Sequence, residues 1–420
     1  MMAQKEIKNV LAMPELIQES DQRSRLNQAL PRWLAKPLYR RRHPDATATA
    51  FDELPFVTKQ ELRTNFPHNF LSPEESLDAL LEAKEVELEY TSGTTEDRVP
   101  VLLPHGWWDS QEEHALRLNG VVAQILDEHP APRRVTLTTP VCNGQACPSK
   151  WTTRTQRTFG RTLYVNFTRI PFLLTEDELA QMAREIAEWE PQLLDLDPVH
   201  GAWFALYCER HGLVFPSLKF ILCSYEFVSV VHRGIIERVF DVPVLNLYGS
   251  TETGHLLMEG AGGEMFPSHD TAFLEVIEPD ERGIGALVVT SLSNDRMPLV
   301  RYRIGDLVET MEQPYRTAYR VHGRAKDVLR AADGRRVTTW DVDQCFTGIA
   351  GIAHYQLRQV ESGDYSLRYL PEIRDQPDLD LSSVCQRLED LLRLTTPIPA
   401  EQVDTIVPTQ SGKFRMTCQM

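Results

Sequence analysis

The sequence predicts an α/β fold: a large N-terminal domain of mostly parallel, helix-covered sheet with a β-rich subdomain, then a small, mobile α+β C-terminal domain. Three observations carry this. Between about residues 134 and 247, short apolar runs alternate with amphipathic helical stretches, the pattern of a parallel sheet covered on both faces. After Gly249 the texture changes, and strand-like runs follow one another without long helices between them, which reads as antiparallel β. The chain has 420 residues, too many for one compact core, so at least two domains are expected.

The elements follow in order. The segment to about Asn65 reads as polar and helical. RVTLTT (Arg134–Thr139) is a strand. Thr175–Glu190 is a helix with a marked start, because Thr175 and Glu178 have capping-box spacing. Leu179, Met182, Ala183, Ile186 and Trp189 fall on one face of it. Pro191 ends the helix, and QLLDL is a short strand. LKFILC (Leu218–Cys223) and VPVLNL (Val242–Leu247) are strands around a helix at Ser229–Phe240. TAFLEVIEP, GALVVTSL and PLVRYRIGDLVETM supply the antiparallel part. From about Gly323, the runs HYQLRQV and ESGDYSLRYL form a hairpin, one amphipathic helix follows at about Leu381–Leu394, and a polar tail closes the chain. The expected domains are 1–322 and 323–420. There is no internal repeat and no low-complexity tract.

Composition narrows the function classes. The chain is 42% apolar and 25% charged, ordinary for a soluble globular protein. A formal charge of −16 argues against a general nucleic-acid or anionic-membrane binder, while a local basic patch could still hold a phosphorylated ligand. The N-terminal stretch lacks the apolar core of a secretory signal, and no apolar run approaches the ~18 residues that span a bilayer. The 7 cysteines form no CxxC pair. The nearest two, Cys142 and Cys147, lack a second ligand pair at zinc-site spacing. Free thiols fit a reducing cytoplasm.

Five stretches carry the chemistry. Tyr90–Pro104 reads YTSGTTEDRVPVLLP. A hairpin turn needs Gly or Asn at positive φ but not four hydroxyls, whereas phosphate oxygens have a use for them. NLYGSTETGH, PLVRYRIGDLVE, GRAKDVLRAADGRRV and PTQSGKFR follow. Each alone is a turn or a solvated loop, but all five in this order and at these separations are hard to obtain by chance.

With these stretches the sequence resembles the adenylate-forming superfamily of acyl-CoA synthetases, nonribosomal adenylation domains and luciferases. Within it, LPFVTKQELRTNFPHNFL (Leu54–Leu71) and PLVRYRIGDL are similar to segments of the phenylacetate–CoA ligase branch. The likeness runs from about Leu54 to Arg415. It implies ATP-dependent activation of a carboxylic acid as an acyl-adenylate, then transfer to a thiol.

The resemblance also implies roles. Thr91, Ser92, Gly93, Thr94 and Thr95 would wrap the triphosphate. Ser224, Tyr225 and Glu226 would flank adenine, and Tyr248, beside Gly249, would stack on it. Thr251 would bond the α-phosphate, and Glu252 would hold Mg²⁺. Asp306 would accept from the ribose hydroxyls, with Arg324 near ribose and phosphate. Lys413 would reach both the substrate carboxylate and the α-phosphate, and Lys326 would be the hinge about which the small domain rotates. ATP and Mg²⁺ are the implied cofactors, and CoA or the phosphopantetheine arm of an acyl carrier protein supplies the thiol. Nucleic acid and membrane are not expected partners, and a homodimer is left open.

Two stretches depart from the family pattern. The phosphate loop continues Glu96-Asp97-Arg98-Val99-Pro100 where the family has G-x-P, which adds two carboxylates near a triphosphate and makes Arg98 the available cation. Gln145–Arg161 lacks the Gly-rich character of the branch in the region of the acyl pocket. An aromatic acid, in a secondary-metabolism setting, is expected over an aliphatic one. Tyr225 with Phe227, Tyr207 or Trp203 could make a flat aromatic wall, although such a stripe is more often plain core. His255 and His269 are more often structural than catalytic. From another class, the altered phosphate loop motivates a catalytically weakened nucleotide-binding scaffold. Glu252, Asp306 and Lys413 argue against it.

Overall fold

The structure is a computed structural model that describes residues 19–42, 50–91, 98–138, 153–313, 316–360, 363–373 and 379–419. Five short strands lie parallel and side by side, in the spatial order Thr162–Tyr164, Arg134–Leu137, Leu193–Leu196, Phe220–Cys223 and Val244–Ser250. Leu193–Leu196 and Phe220–Cys223 are buried along their whole length. Helices Glu176–Trp189, Pro198–His211 and Val230–Val239 share a core with one face of the sheet, and helices Trp107–Leu116 and Gly120–Glu128 cover the other. The capping box forms: Thr175 N–H donates to Glu178 Oε2 at 3.0 Å, and Glu178 N–H donates to Thr175 Oγ1 at 3.2 Å. Glu190 then turns the chain with a φ of 49°.

The predicted parallel sheet and β-rich subdomain are one sheet. Val244–Ser250 bonds parallel to Phe220–Cys223 on one side and antiparallel to Gly254–Glu259 on the other, and the antiparallel strands continue from there. Among the described residues the sheet has twelve strands. The chain enters the parallel part at Arg134–Leu137, adds Thr162–Tyr164 on one side, and then builds outward on the other from Leu193–Leu196. Connections therefore leave the carboxyl ends of Arg134–Leu137 and Leu193–Leu196 in opposite directions. Such a reversal opens a crevice where ligands bind in α/β sheets.

Two expectations are corrected. The N-terminal segment is not simply polar helix: Glu19–Leu34 and Pro37–Arg42 are helical, but Leu26 and Trp33 are core residues. The chain then runs irregularly to the short helix Lys59–Arg63, with Val57 bridged to Tyr302 and the Arg301 guanidinium donating to Leu54 O at 2.6 Å. The polar tail is also folded. Ala400–Gln402 and Thr417–Gln419 pair parallel onto the two outer edges of the hairpin Ile352–Gln359/Tyr365–Pro371. Three-residue edge strands need so few apolar residues that no period shows in the sequence. Among the described residues no helix is long and apolar enough to cross a membrane.

The C-terminal unit packs on the helical face of the parallel sheet. Tyr355, Leu357 and Phe414 belong to the same core as Phe172 and Phe204. Asp343 accepts Val230 N–H at 3.0 Å and the Tyr355 hydroxyl at 2.7 Å. His232 Nε2 and His354 Nδ1 are 3.0 Å apart in a stacked, fully buried pair.

Burial lowers His232 to about 3 and, with His232 beside it, holds His354 well below the usual imidazole range. Burial raises Asp343 to about 7. The two effects oppose. The neutral histidines contribute stability that is full above their ordinary value of 6.5 and drains as pH falls toward 3. Asp343 contributes stability that is full below 3.8 and is lost as pH rises through about 7. Within this cluster two imidazoles outweigh one carboxyl, so the cluster adds to any fall in the thermal midpoint between about pH 6.5 and about pH 4.5. A His232→Phe, His354→Leu variant should fall less. An equal fall would show that another group titrates.

Candidate active site

Stretches far apart in sequence meet in a cleft of about 1290 Å³ between the sheet and the C-terminal unit. Tyr225, Glu226, Tyr248, Gly249, Asp306, Arg324, Lys326 and Lys413 all line it.

Asp306 and Arg324 face each other across adjacent antiparallel strands, Tyr302–Gln313 and Arg316–Arg324. Arg324 Nε lies 3.0 Å from Asp306 Oδ1, and the Tyr248 hydroxyl donates to Asp306 Oδ2 at 2.6 Å. Asp306 is buried, and each oxygen keeps a lone pair for a further donor. Burial and the Asp306 carboxylate push the Tyr248 phenol well above its usual range, so it remains a donor. Gly323 has a φ of 94°, and a Cβ there would lie 2.8 Å from Thr339 Cβ. Only glycine lets the arginine strand pass helix Thr339–Gln344 this closely.

Gly249 precedes the turn that holds Thr251 and Glu252. A Cβ at Gly249 would meet Gly254 O at 2.2 Å, which fixes glycine at that position too. Thr251 is half-buried in the turn. Glu252 is buried, accepts the Tyr302 hydroxyl at 2.8 Å, and lies 3.8 Å from Lys59 Nζ. Burial favours its protonated form, but Lys59 and Tyr302 outweigh that and hold the carboxyl below its ordinary value. An ionised single carboxylate fits Mg²⁺, which takes oxygen ligands and keeps several waters. No group of three or more His, Cys, Asp or Glu among the described residues could hold a metal, so its other ligands would be phosphate and water.

Asp195 anchors the next stretch. It accepts from Ser224 Oγ at 2.8 Å and Tyr225 Oη at 2.6 Å, with Arg134 3.9 Å away. Tyr225 sits at a φ of 73°, a strained conformation for a bulky side chain, which this bond to Asp195 helps hold. Ser224 thus faces Asp195, while Tyr225 and Glu226 reach the cleft.

Lys413 is built into the fold. Gly412, at a φ of 84°, closes a turn in which Thr409 N–H and Oγ1–H both donate to Lys413 O, at 2.8 and 2.9 Å. Phe414 N–H donates to Glu226 Oε1 at 2.9 Å, and the Phe414 ring packs on Phe172 and His354. Arg169, from the sheet side, donates to Thr409 O at 3.1 Å. Burial and Asp197 raise Glu226 well above the usual carboxylate range, against the pull of Lys413. Lys326 is exposed in the turn Ala325–Asp327, and Asp327 beside it is tied to Arg415 at 2.6 Å.

Thr91 is buried at the stem of the hairpin Val86–Tyr90/Pro100–Pro104, where its hydroxyl accepts Val99 N–H at 2.9 Å. Ser92, Gly93, Thr94 and Thr95 lie outside the described residues. So do Cys142 and Cys147. The aromatic wall is corrected: Trp203 and Tyr207 are core residues of helix Pro198–His211, and only Tyr225 and Phe227 of that set line the cleft. His255 is buried against Trp108, its ring centroid 4.8 Å away.

Sequence reasoning gave no role to Lys59 or Asp197. Lys59 opens a helix capped by Thr58 and Glu61, and its charge acts among those of Glu252, Arg324, Asp306 and Lys413. Asp197 caps helix Pro198–His211 at a strand end, and the Asp-Pro pair there was the available signal.

No protein-family model matches the chain. A phenylacetate–coenzyme A ligase of Pseudomonas putida is 26% identical over 333 residues, 70% of this chain and 67% of that protein. One from Thermus thermophilus is 27% identical over 195 residues, covering 41% of this chain and 43% of that protein. Among solved structures, 2-hydroxyisobutyryl-CoA ligase in the postadenylation state, with R3-HIB-AMP, aligns over 97% of this chain and 90% of its own, with a TM-score of 0.70 at 17% identity. The same enzyme in the thioesterification state aligns with a TM-score of 0.55 over the same shares. The chain thus shares its fold with an acid–CoA ligase that binds an acyl-adenylate, and its sequence resembles the phenylacetate–CoA ligases.

Proposed function

We propose that this protein activates a carboxylic acid with ATP, releases pyrophosphate, and passes the acyl group from AMP to the thiol of CoA. The observation that carries this is the meeting of Lys413 with Glu226 and the Asp306–Arg324 pair in one cleft. A carboxylate is a poor acyl donor because oxide is a poor leaving group. In the first step a carboxylate oxygen bonds to the α-phosphorus and the bond to pyrophosphate breaks. Anionic groups converge there, and Lys413 and Arg324 offset that charge. Lys59 adds a third cation from the N-terminal side. Asp306 accepts from ribose hydroxyls and keeps Arg324 aimed. Glu252 would hold Mg²⁺, which would supply charge neutralisation on the phosphates. In the second step the thiol sulfur bonds to the acyl carbon, the thiol proton leaves, and AMP departs.

The acid is aromatic in this reading, by likeness to phenylacetate ligases. Residues 323–420 form the unit that turns about Lys326 between the steps. The better match to a postadenylation state than to a thioesterification state supports a pose with Lys413 docked for the first step. Lys326→Pro is expected to slow one half-reaction more than the other, because proline restricts φ at the pivot. Equal losses in both, measured separately, would count against a pivot there. Mass measurement of the thioester formed from acid, ATP and either CoA or a phosphopantetheinylated carrier protein tests the acceptor. CoA thioester alone is expected, and acylation of the carrier alone would overturn that choice.

A further inference from the structure

Lys413 stands near the end of the loop 409–414, which sets its own shape. Thr409 N–H and Oγ1–H donate to Lys413 O, Gly412 N–H donates to Thr409 O at 2.9 Å, and the Thr409 and Ser411 hydroxyls are 2.8 Å apart. These bonds close the turn. They do not decide where the turn sits over the cleft, which depends on contacts made to it from the sheet side.

Two groups of the sheet side hold the loop, one at each end. Arg169 Nη2 donates to Thr409 O at 3.1 Å and also to Gln410 O. At the other end, Glu226 Oε1 accepts Phe414 N–H at 2.9 Å. Lys413 lies between the two grips. All of these bonds go to backbone atoms, so they fix the main chain of the loop and leave the lysine side chain to the cleft, which it lines.

Both grips are themselves held. Arg169 lies just before the short helix Pro171–Leu173, and Ile170 N–H donates to Thr168 Oγ1 at 3.2 Å there. Phe172 on that helix is buried and packs edge-on against the Phe414 ring, with centroids 5.5 Å apart. One short segment thus touches both ends of the loop. Glu226 follows Tyr225, whose φ of 73° is steadied by the hydroxyl bond to Asp195. The strained backbone aims the next side chain at Phe414 N–H. A carboxyl oxygen accepts that bond whether or not the group is ionised.

We propose that Arg169 and Glu226 are positioning residues for adenylation, a two-ended clamp that sets the Lys413 main chain over the α-phosphate and lets go when the C-terminal unit turns. This rests on the reading above, in which Lys413 is the adenylation cation. Arg169 is exposed and does not line the cleft, so it acts only through the loop. Its effect on rate is then one of placement, and misplacing a catalytic group by about 1 Å can cost about 10²-fold.

The test uses the full chain. Arg169→Ala should slow acid-dependent pyrophosphate exchange about tenfold or more, with ATP affinity within about twofold of wild type. Thioester formation from synthetic acyl-adenylate should run as fast or faster, because a loosened clamp favours the turned pose. In a Lys413→Ala background the same change should add less than about twofold, since an arginine acting through Lys413 has nothing left to place. Glu226→Leu removes the acceptor and should cost more than Glu226→Gln, which keeps one. Amide-hydrogen exchange in the segment 409–416, read by mass spectrometry, should quicken about tenfold in Arg169→Ala. Equal losses in both half-reactions, a full extra loss on top of Lys413→Ala, equal effects of the two Glu226 variants, or unchanged amide exchange would each overturn the proposal. No pyrophosphate exchange with any acid would instead contradict the adenylation reading, and amide exchange would still decide whether Arg169 clamps the loop.

Discussion

Lys413→Ala is expected to lower adenylation by about 10²–10³-fold, the scale for losing one fixed charge at the transition state. The fold should hardly change. Only the side chain beyond Cβ is lost, while Thr409 bonds the Lys413 backbone carbonyl and Phe414 supplies the packing. Thioester formation started from synthetic acyl-adenylate should be nearly untouched, because in the proposed rotation that step runs with the C-terminal unit turned away. The two half-reactions, measured separately, check this. If both fall together, or neither falls, Lys413 is not the adenylation cation and the rotation model loses its main support.

Asp306→Ala should weaken ATP binding by about 1.5–3 kcal/mol, the usual worth of a hydrogen bond to a charged group. That is roughly a 10- to 150-fold rise in Kd. The carboxylate serves twice, since it meets the ribose in the proposed complex and also holds the Tyr248 hydroxyl and Arg324 Nε. Alanine therefore frees an arginine and a tyrosine that help shape the cleft. Asp306→Asn keeps the shape and one acceptor, so its loss should be smaller. Calorimetry with ATP alongside thermal unfolding separates binding from stability. Unchanged affinity in the alanine variant would make this aspartate only a strand-end partner of Arg324.

What could be read in the sequence was what depends on local pattern. The helix Glu176–Trp189 declares itself through a cap, an apolar face and a proline, all within one stretch. The central strands declare themselves as short apolar runs because both of their faces are buried. Gly249 and Gly323 stand at strand positions with no room for a side chain, and Gly412 closes a turn at positive φ. Pairing between distant segments could not be read. Nothing local reveals that Val244–Ser250 joins the two halves into one sheet, or that the three residues Thr417–Gln419 add an edge strand. The partners of Lys59 lie far along the chain, and its short helix looks like any solvated one. With Tyr225, Trp203 and Tyr207 suggest a substrate wall because they are large aromatics. The helix they stand on is buried through most of its length, which puts them in the core.

Acid-dependent exchange of labelled pyrophosphate into ATP tests the central claim most directly, because it reports reversible adenylate formation and requires no thiol. Across a panel of carboxylic acids, the wild-type chain should support exchange with at least one acid, and Lys413→Ala should suppress it about 10²-fold or more. ATP binding without exchange for any acid would contradict the account and leave a nucleotide-binding scaffold in its place.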